Sequence, residues 1–253
     1  MVTNMAKRSP EQWHTFYLHE SSRYDDRRYA TSYGRVFARL HHEAITQALI
    51  GVSRESRLVE VACGTGHITA LLQELGYTAI ACDLTAEMME YAQARCSGSE
   101  PEPSFVRASA FRLPFRDSDI DVLISTRFLH LFSLGQQRTV LSEFQRVLRP
   151  GGRLMVDFDN RSARWLMAVP HLFYNLLRYR RFEPDTHYNA ITSTTAMLRE
   201  VGFEPERCDG LGGTHLLSLS WIAPELAIRF GRLHRERPLR VAAEQFLITA
   251  RRK

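Results

Sequence analysis

From Arg57 onward the chain alternates short β-branched apolar runs with longer stretches whose apolar residues recur every three or four positions. Buried parallel strands joined by amphipathic crossover helices produce that texture. It predicts strands at Leu58 to Val61, Thr78 to Cys82, Ser104 to Arg107, Asp121 to Ser125, Arg153 to Phe158 and Glu244 to Ala250. Helices are predicted near His67 to Leu75, Ala86 to Arg95 and Gln136 to Leu148, with Arg149-Pro150-Gly151-Gly152 halting the last and turning the chain into the next strand. A further helix, Thr192 to Val201, has Thr192 or Ser193 as its expected N-cap.

Three regions fall outside this rhythm. Residues 1–50 read as a polar-aromatic helical cap in which Val36, Phe37, Leu40, Ile45 and Leu49 form an amphipathic stripe ahead of the core at 51–253. Asn160 to Asn189 has no strand candidate and reads as an insertion, and Gly210 to Arg237 reads as a second irregular, partly helical one. Trp165-Leu166-Met167 and His171-Leu172-Phe173-Tyr174 make the first insertion strongly apolar between arginines, which suits either a lid or a helix packed on the sheet. The same character would suit a membrane surface.

Composition narrows the class. A chain of 253 residues, 44% apolar and 24% charged, can bury one large α/β core. No apolar run approaches the roughly 20 residues of a membrane span, and no signal-like apolar stretch follows Lys7-Arg8, so a soluble cytoplasmic protein is expected. Cys63, Cys82, Cys96 and Cys208 have neither paired metal spacing nor disulfide density, so no metal site is expected. The net charge of +5 rests almost wholly on arginine, only Lys7 and Lys253 being lysines, and the basic residues cluster only between Arg161 and Arg181. Nucleic acid is therefore disfavoured as a partner.

The chemistry is concentrated where the first predicted strand meets a glycine turn, Glu60-Val61-Ala62-Cys63-Gly64-Thr65-Gly66-His67. Glycines there let the backbone approach a ligand closely at a helix N-terminus. A dinucleotide fingerprint needs a third glycine where Thr69 stands. Asp83 ends the second strand, where a carboxylate can accept from both ribose hydroxyls.

These residues resemble motif I and the motif II acid of class I S-adenosylmethionine-dependent methyltransferases. Leu113-Pro114-Phe115, Ile120-Asp121-Val122-Leu123 and Leu148-Arg149-Pro150-Gly151-Gly152 add three further matches in order. The resemblance implies a Rossmann-like, seven-stranded, mostly parallel sheet with flanking helices, an N-terminal helical cap and inserted helical lids. It implies S-adenosylmethionine as cofactor and S-adenosylhomocysteine as product. Glu60, Ala62, Gly64 and Gly66 would then form the loop along the methionine moiety, Asp83 would hold the ribose, and Leu84, Ser109, Ala110, Phe111 and Thr126 would border the cofactor. Tyr24 and Arg35 resemble a segment that packs over its amino acid end. Ala62 departs from the usual first glycine, and Ser109 from an Asp common at the adenine amino group.

In-line transfer of a methyl group depends mainly on holding acceptor and donor close and aligned. A hydroxyl acceptor also needs a base, for which His130 beyond the fourth strand is the first candidate. Asp159 at the end of the fifth strand and His187 after the insertion are the others, and Asp157 could orient substrate. Ser125-Thr126-Arg127-Phe128 lacks the prolines of exocyclic base-amine methyltransferases, which disfavours that subclass, and the apolar Trp165 to Leu177 stretch suggests a small hydrophobic or aromatic metabolite as acceptor. RNA or protein substrates, and a noncatalytic cofactor-binding protein on the same scaffold, are the alternatives.

Overall fold

In the computed structural model, residues 9–163, 187–213, 216–235 and 239–253 are described. Three helices open the chain, α1 (Pro10–Glu20), α2 (Tyr24–Arg28) and α3 (Ser32–Ala48). Ser9 starts α1 with a capping box to Gln12, and Thr31 caps α3 by accepting from the Gly34 amide. The alternating core follows as β1 (Leu58–Val61), α4 (His67–Glu74), β2 (Ala79–Asp83), α5 (Ala86–Cys96), β3 (Ser104–Arg107), β4 (Ile120–Ser125), α6 (Leu134–Val147) and β5 (Leu148–Asn160). The chain continues through β6 (Tyr188–Asn189), α7 (Ile191–Glu200), β7 (Phe203–Leu211), α8 (Leu216–Ile222), α9 (Pro224–Leu233) and β8 (Gln245–Arg252).

The strands form one sheet in the order β3-β2-β1-β4-β5-β8-β7, with two-residue β6 beside β5. Pairing is parallel except where β8 runs antiparallel to both β5 and β7. Successive residues face opposite sides of the sheet. Leu58, Ile124, Met155 and Leu247 meet Phe37 and Ile45 of α3 and Leu72 of α4, while Val59, Leu123, Val156 and Phe246 meet Val140 and Phe144 of α6 and Leu198 of α7. Strand order reverses between β1 and its neighbours β2 and β4, which leaves a crevice outside the carboxyl ends of these strands.

Several expectations are corrected. β7 was not anticipated, because Phe-Glu-Pro-Glu-Arg-Cys-Asp is a polar edge strand whose register shifts between Pro205 and Arg207. Tyr188–Asn189 is a strand although Asn160 to Asn189 was read as strandless. The Arg-Pro-Gly-Gly turn lies inside β5 as a bulge, since the register with β4 jumps from Ile120↔Leu148 to Val122↔Arg153. Ala190, not Thr192 or Ser193, occupies the N-cap of α7, and the hydroxyls of Ser193 and Thr194 bond back to its carbonyl at 3.0 and 2.9 Å.

The apolar Trp165 to Leu177 stretch and the Arg161 to Arg181 cluster fall mostly outside the described residues. In the second insertion, Leu216 and Ala227 with Ile228 pack on Val36 and Leu40 of α3. None of its described residues lines the cleft at the sheet's carboxyl edge. Among the described residues no helix is long and apolar enough to cross a membrane.

Candidate active site

The glycine turn after β1 is wound left-handed at Ala62 (φ 61°), Gly64 (54°) and Gly66 (80°). At Ala62 that conformation costs about 1–2 kcal/mol because the residue carries a Cβ. The glycines serve different ends. A Cβ on Gly64 would meet only Met88 Cε at 3.5 Å, so its bareness leaves room toward the cleft. A Cβ on Gly66 would lie 2.7 Å from Ala92 Cβ, so Gly66 lets α4 pack on α5 and does not itself line the cleft.

Asp83 closes the turn from the end of β2. Its Oδ2 accepts the Gly64 amide and its Oδ1 the Thr85 amide, both at 2.9 Å. Burial raises its pKa against the pull of those amides. Beside it Leu84, 39% exposed, presents an apolar face to the same cleft. Ala62, Glu60, Ser109, Ala110, Phe111 and Thr126 complete the walls that sequence anticipated, with Ser109 Oγ accepting the Phe111 amide at 3.3 Å. Glu60 is buried and accepts from Thr69 Oγ1 at 2.5 Å, and burial pushes its pKa up to about 8. A carboxylate at one strand end, an apolar platform next to it and a bare glycine turn suit an adenosyl group with an amino acid tail.

The N-terminal cap closes this cleft from above. Asp25 accepts from Thr65 Oγ1 at 2.7 Å, meets His67 Nε2 at 3.1 Å and pairs with Arg95, so α2 is tied to the glycine turn. Partial burial opposes ionisation of Asp25, but the bonds from His67 and Thr65 prevail and its pKa is lowered. Tyr29 stacks on the His67 ring at 3.6 Å, and Trp13 donates to the Leu131 carbonyl at 3.0 Å. Tyr24 lines the cleft together with Trp13 and Tyr17. Arg35 stands elsewhere: its guanidinium bonds the Ala30 carbonyl and Ser32 Oγ and borders a shallow pocket with Arg39 and His42.

A second cavity adjoins the first, and Tyr17, Tyr24 and Arg127 line both. His130 and Asp159 come together on its wall with Glu244, because β4 and β5 are neighbouring parallel strands ending at the same edge. His130 is buried, its Nδ1 has no hydrogen-bond partner, and burial lowers its pKa despite Asp159 and Asp157 nearby. The turn that carries it is fixed by Gln137 Nε2, which donates to the Leu129 and Phe132 carbonyls at 3.0 Å. His187 is not on the cavity wall; its amide donates to the His130 carbonyl at 2.7 Å. Asp159 Oδ1 accepts from Gln245 at 2.7 Å, and Glu244 accepts from the Tyr33 hydroxyl.

Sequence reasoning passed over Arg127. Its backbone is left-handed (φ 55°) and its amide donates to the fully buried Asp157 at 2.6 Å, while the other Asp157 oxygen lies 3.3 Å from His41 Nε2. A non-glycine residue held this way at a strand end marks a strained, positioned turn. An arginine set directly between the end of the fourth strand and the Phe128-Leu129-His130-Leu131-Phe132 stretch was the available signal. Among the described residues no group of His, Cys, Asp and Glu side chains could hold a metal ion.

Residues 59–156 match the family model described as a methyltransferase domain. An uncharacterized methyltransferase of Synechocystis is 26% identical over 61% of this chain and 69% of its own length. The demethylmenaquinone methyltransferase of Clavibacter sepedonicus is 33% identical over 62% of this chain and 61% of its own length. The magnesium protoporphyrin IX methyltransferase of Synechocystis, solved with bound S-adenosylhomocysteine, has the same fold, with a TM-score of 0.65 and 13% identity over 94% of this chain and 99% of that one. With the glycine turn, Asp83 and the strand order in place, the chain carries a class I, Rossmann-like methyltransferase domain. It is an S-adenosylmethionine-dependent enzyme.

Proposed function

We propose that the acceptor is a small hydrophobic or aromatic metabolite, methylated at an O, N or C atom. The observation that carries this reading is the second cavity, where the rings of Tyr17, Tyr24, Tyr33 and Phe37 stand among polar groups that include Arg127, His130 and Asp159, and which adjoins the cofactor cleft through shared residues. One relative is named for a small-molecule acceptor, demethylmenaquinone, and one protein of the same fold for magnesium protoporphyrin IX. When bound, S-adenosylmethionine would supply a sulfonium-activated methyl group, whose bond to sulfur breaks as an electron pair of the acceptor, a lone pair on O or N or a π pair at C, forms the new bond to carbon.

The remaining work falls to the chain. Asp83 holds the ribose hydroxyls, Leu84 and Ala110 hold the adenine, and Gly64 leaves room for the amino acid tail. The aromatic walls orient the acceptor, and Trp13 and Tyr29 exclude water by covering the cleft. His130, neutral because burial disfavours its cation, accepts a proton from an ionisable acceptor. Asp159 borders the acceptor, and His187 supports the His130 turn through its amide.

Substituting Asp83→Ala is expected to weaken S-adenosylhomocysteine binding by about 1.5–3 kcal/mol, the range for hydrogen bonds to a charged group, or roughly 10- to 150-fold. Isothermal titration checks this, and an unchanged affinity would remove Asp83 from the cofactor site. Release of S-adenosylhomocysteine in the presence of small aromatic acceptors separates an enzyme from a noncatalytic binder on the same scaffold.

A further inference from the structure

Arg127 is half-buried and lines both cavities. Its guanidinium lies 5.5 Å from the Tyr29 ring centroid and 5.6 Å from that of Phe37. Among the described residues its side chain forms neither a hydrogen bond nor an ion pair, the only bond at this residue being the one its amide donates to Asp157. A cation withdrawn from bulk water is costly unless an anion is placed to meet it.

Each neighbouring carboxylate has one oxygen bonded to a group other than the Arg127 side chain. Asp157 receives the Arg127 amide and faces His41, Asp159 accepts from Gln245, and Glu244 accepts from Tyr33. Across the same cavity Arg28 adds a second cation that has no ion pair among the described residues. What the cavity offers a ligand is the guanidinium groups of Arg127 and Arg28, the unpaired His130 Nδ1 and Gln245 Oε1, and one oxygen each of Asp159 and Glu244. None of the glycine turn, Asp83 or residues 108–111 reaches this cavity, so the side of Arg127 that faces it is turned away from the nucleoside-binding elements.

We propose that Arg127 is the specificity-determining residue for the acceptor, its guanidinium receiving an anionic oxygen group (a carboxylate, phenolate or enolate) through paired N–H donors. This rests on the second cavity being the acceptor site. The planar fork of arginine suits such a group in two-point geometry, and the flanking rings of Tyr29 and Phe37 hold the fork in place. Because the backbone turn is fixed through the amide and not the side chain, replacing the side chain spares the Asp157 bond.

The test titrates the full chain, with and without S-adenosylhomocysteine, with benzoate and para-nitrophenolate against the neutral probes benzyl alcohol and para-nitroanisole. The wild type is expected to bind at least one anion roughly tenfold or more tightly than its neutral partner, the factor for a charge-assisted hydrogen bond. Arg127→Gln should abolish the preference and melt no lower than the wild type, Arg127→Lys should retain part of the preference, and both should still bind S-adenosylhomocysteine. The proposal is overturned if the wild type shows no preference, or if Arg127→Gln keeps it. It is also overturned if Arg127→Gln weakens S-adenosylhomocysteine but not methylthioadenosine, which lacks the amino acid carboxylate, because the anion met by Arg127 would then be the cofactor's own. Failure of the wild type to bind S-adenosylhomocysteine would count against the cofactor reading, and the titration without it would still report the anion preference.

Discussion

A His130→Ala variant is expected to lose about 10²- to 10⁴-fold in turnover of a hydroxyl acceptor, the usual contribution of a positioned general base. Its affinity for S-adenosylhomocysteine should stay within about twofold, since His130 lines the acceptor cavity and not the cofactor cleft. The substitution leaves the turn intact: Gln137 holds it through the Leu129 and Phe132 carbonyls, and Trp13 through that of Leu131. Steady-state kinetics beside titration calorimetry separates the two effects. Unchanged turnover would take His130 out of the mechanism.

The pH profile provides an independent reading of the same residue. Burial holds the imidazole below its ordinary value of about 6.5, so the neutral, proton-accepting form persists to lower pH than for a solvent histidine. The acidic limb of kcat/KM should therefore lie below that value in the wild type and disappear in His130→Ala. A limb at or above it would mean that the titrating base is another group.

How far the sequence foretold this arrangement depended on how local each feature is. The glycine turn and Asp83 are readable because strand, turn and acid are set within one βαβ unit, where spacing fixes geometry. Gly66 was assigned to the ligand, but its contact with Ala92 depends on how α4 meets α5, which no spacing in the turn reveals. Arg35 was expected over the cofactor, yet the Ala30 carbonyl and Ser32 draw its head to the other side of the cap. β7 escaped because an edge strand shows solvent a polar face and carries Pro205 without a central strand's alternation. His130 and Asp159 were named separately, and only the pairing of β4 with β5 makes them neighbours. The role argued for Arg127 required seeing that the end of β4 meets α2 and α3 at the junction of two cavities.

The Glu60 carboxyl should make the fold more stable in acid than at neutral pH, and Glu60→Gln should remove that dependence. Burial pushes its pKa up to about 8; the Thr69 hydroxyl at 2.5 Å opposes the shift and the charge of Asp83 adds to it. With the folded value above the unfolded one, the folded chain binds the extra proton, so this group's contribution is complete below pH of about 4.5 and is lost as the pH rises toward about 8. Near neutrality the loss approaches about 3 kcal/mol at 1.36 kcal/mol per pH unit. A glutamine keeps an acceptor for Thr69 and carries no charge, so Glu60→Gln should be more stable than wild type by up to that amount at neutral pH, with the gap closing in acid. Denaturant titrations across this range check the sign; a variant less stable than wild type at neutral pH would show that Glu60 is ionised and paired in the fold. Glu60 also borders the cofactor cleft, and a sulfonium favours its ionised form whereas a neutral thioether does not. The variant should therefore lose affinity for S-adenosylmethionine more than for S-adenosylhomocysteine, and wild-type binding of the former should release protons.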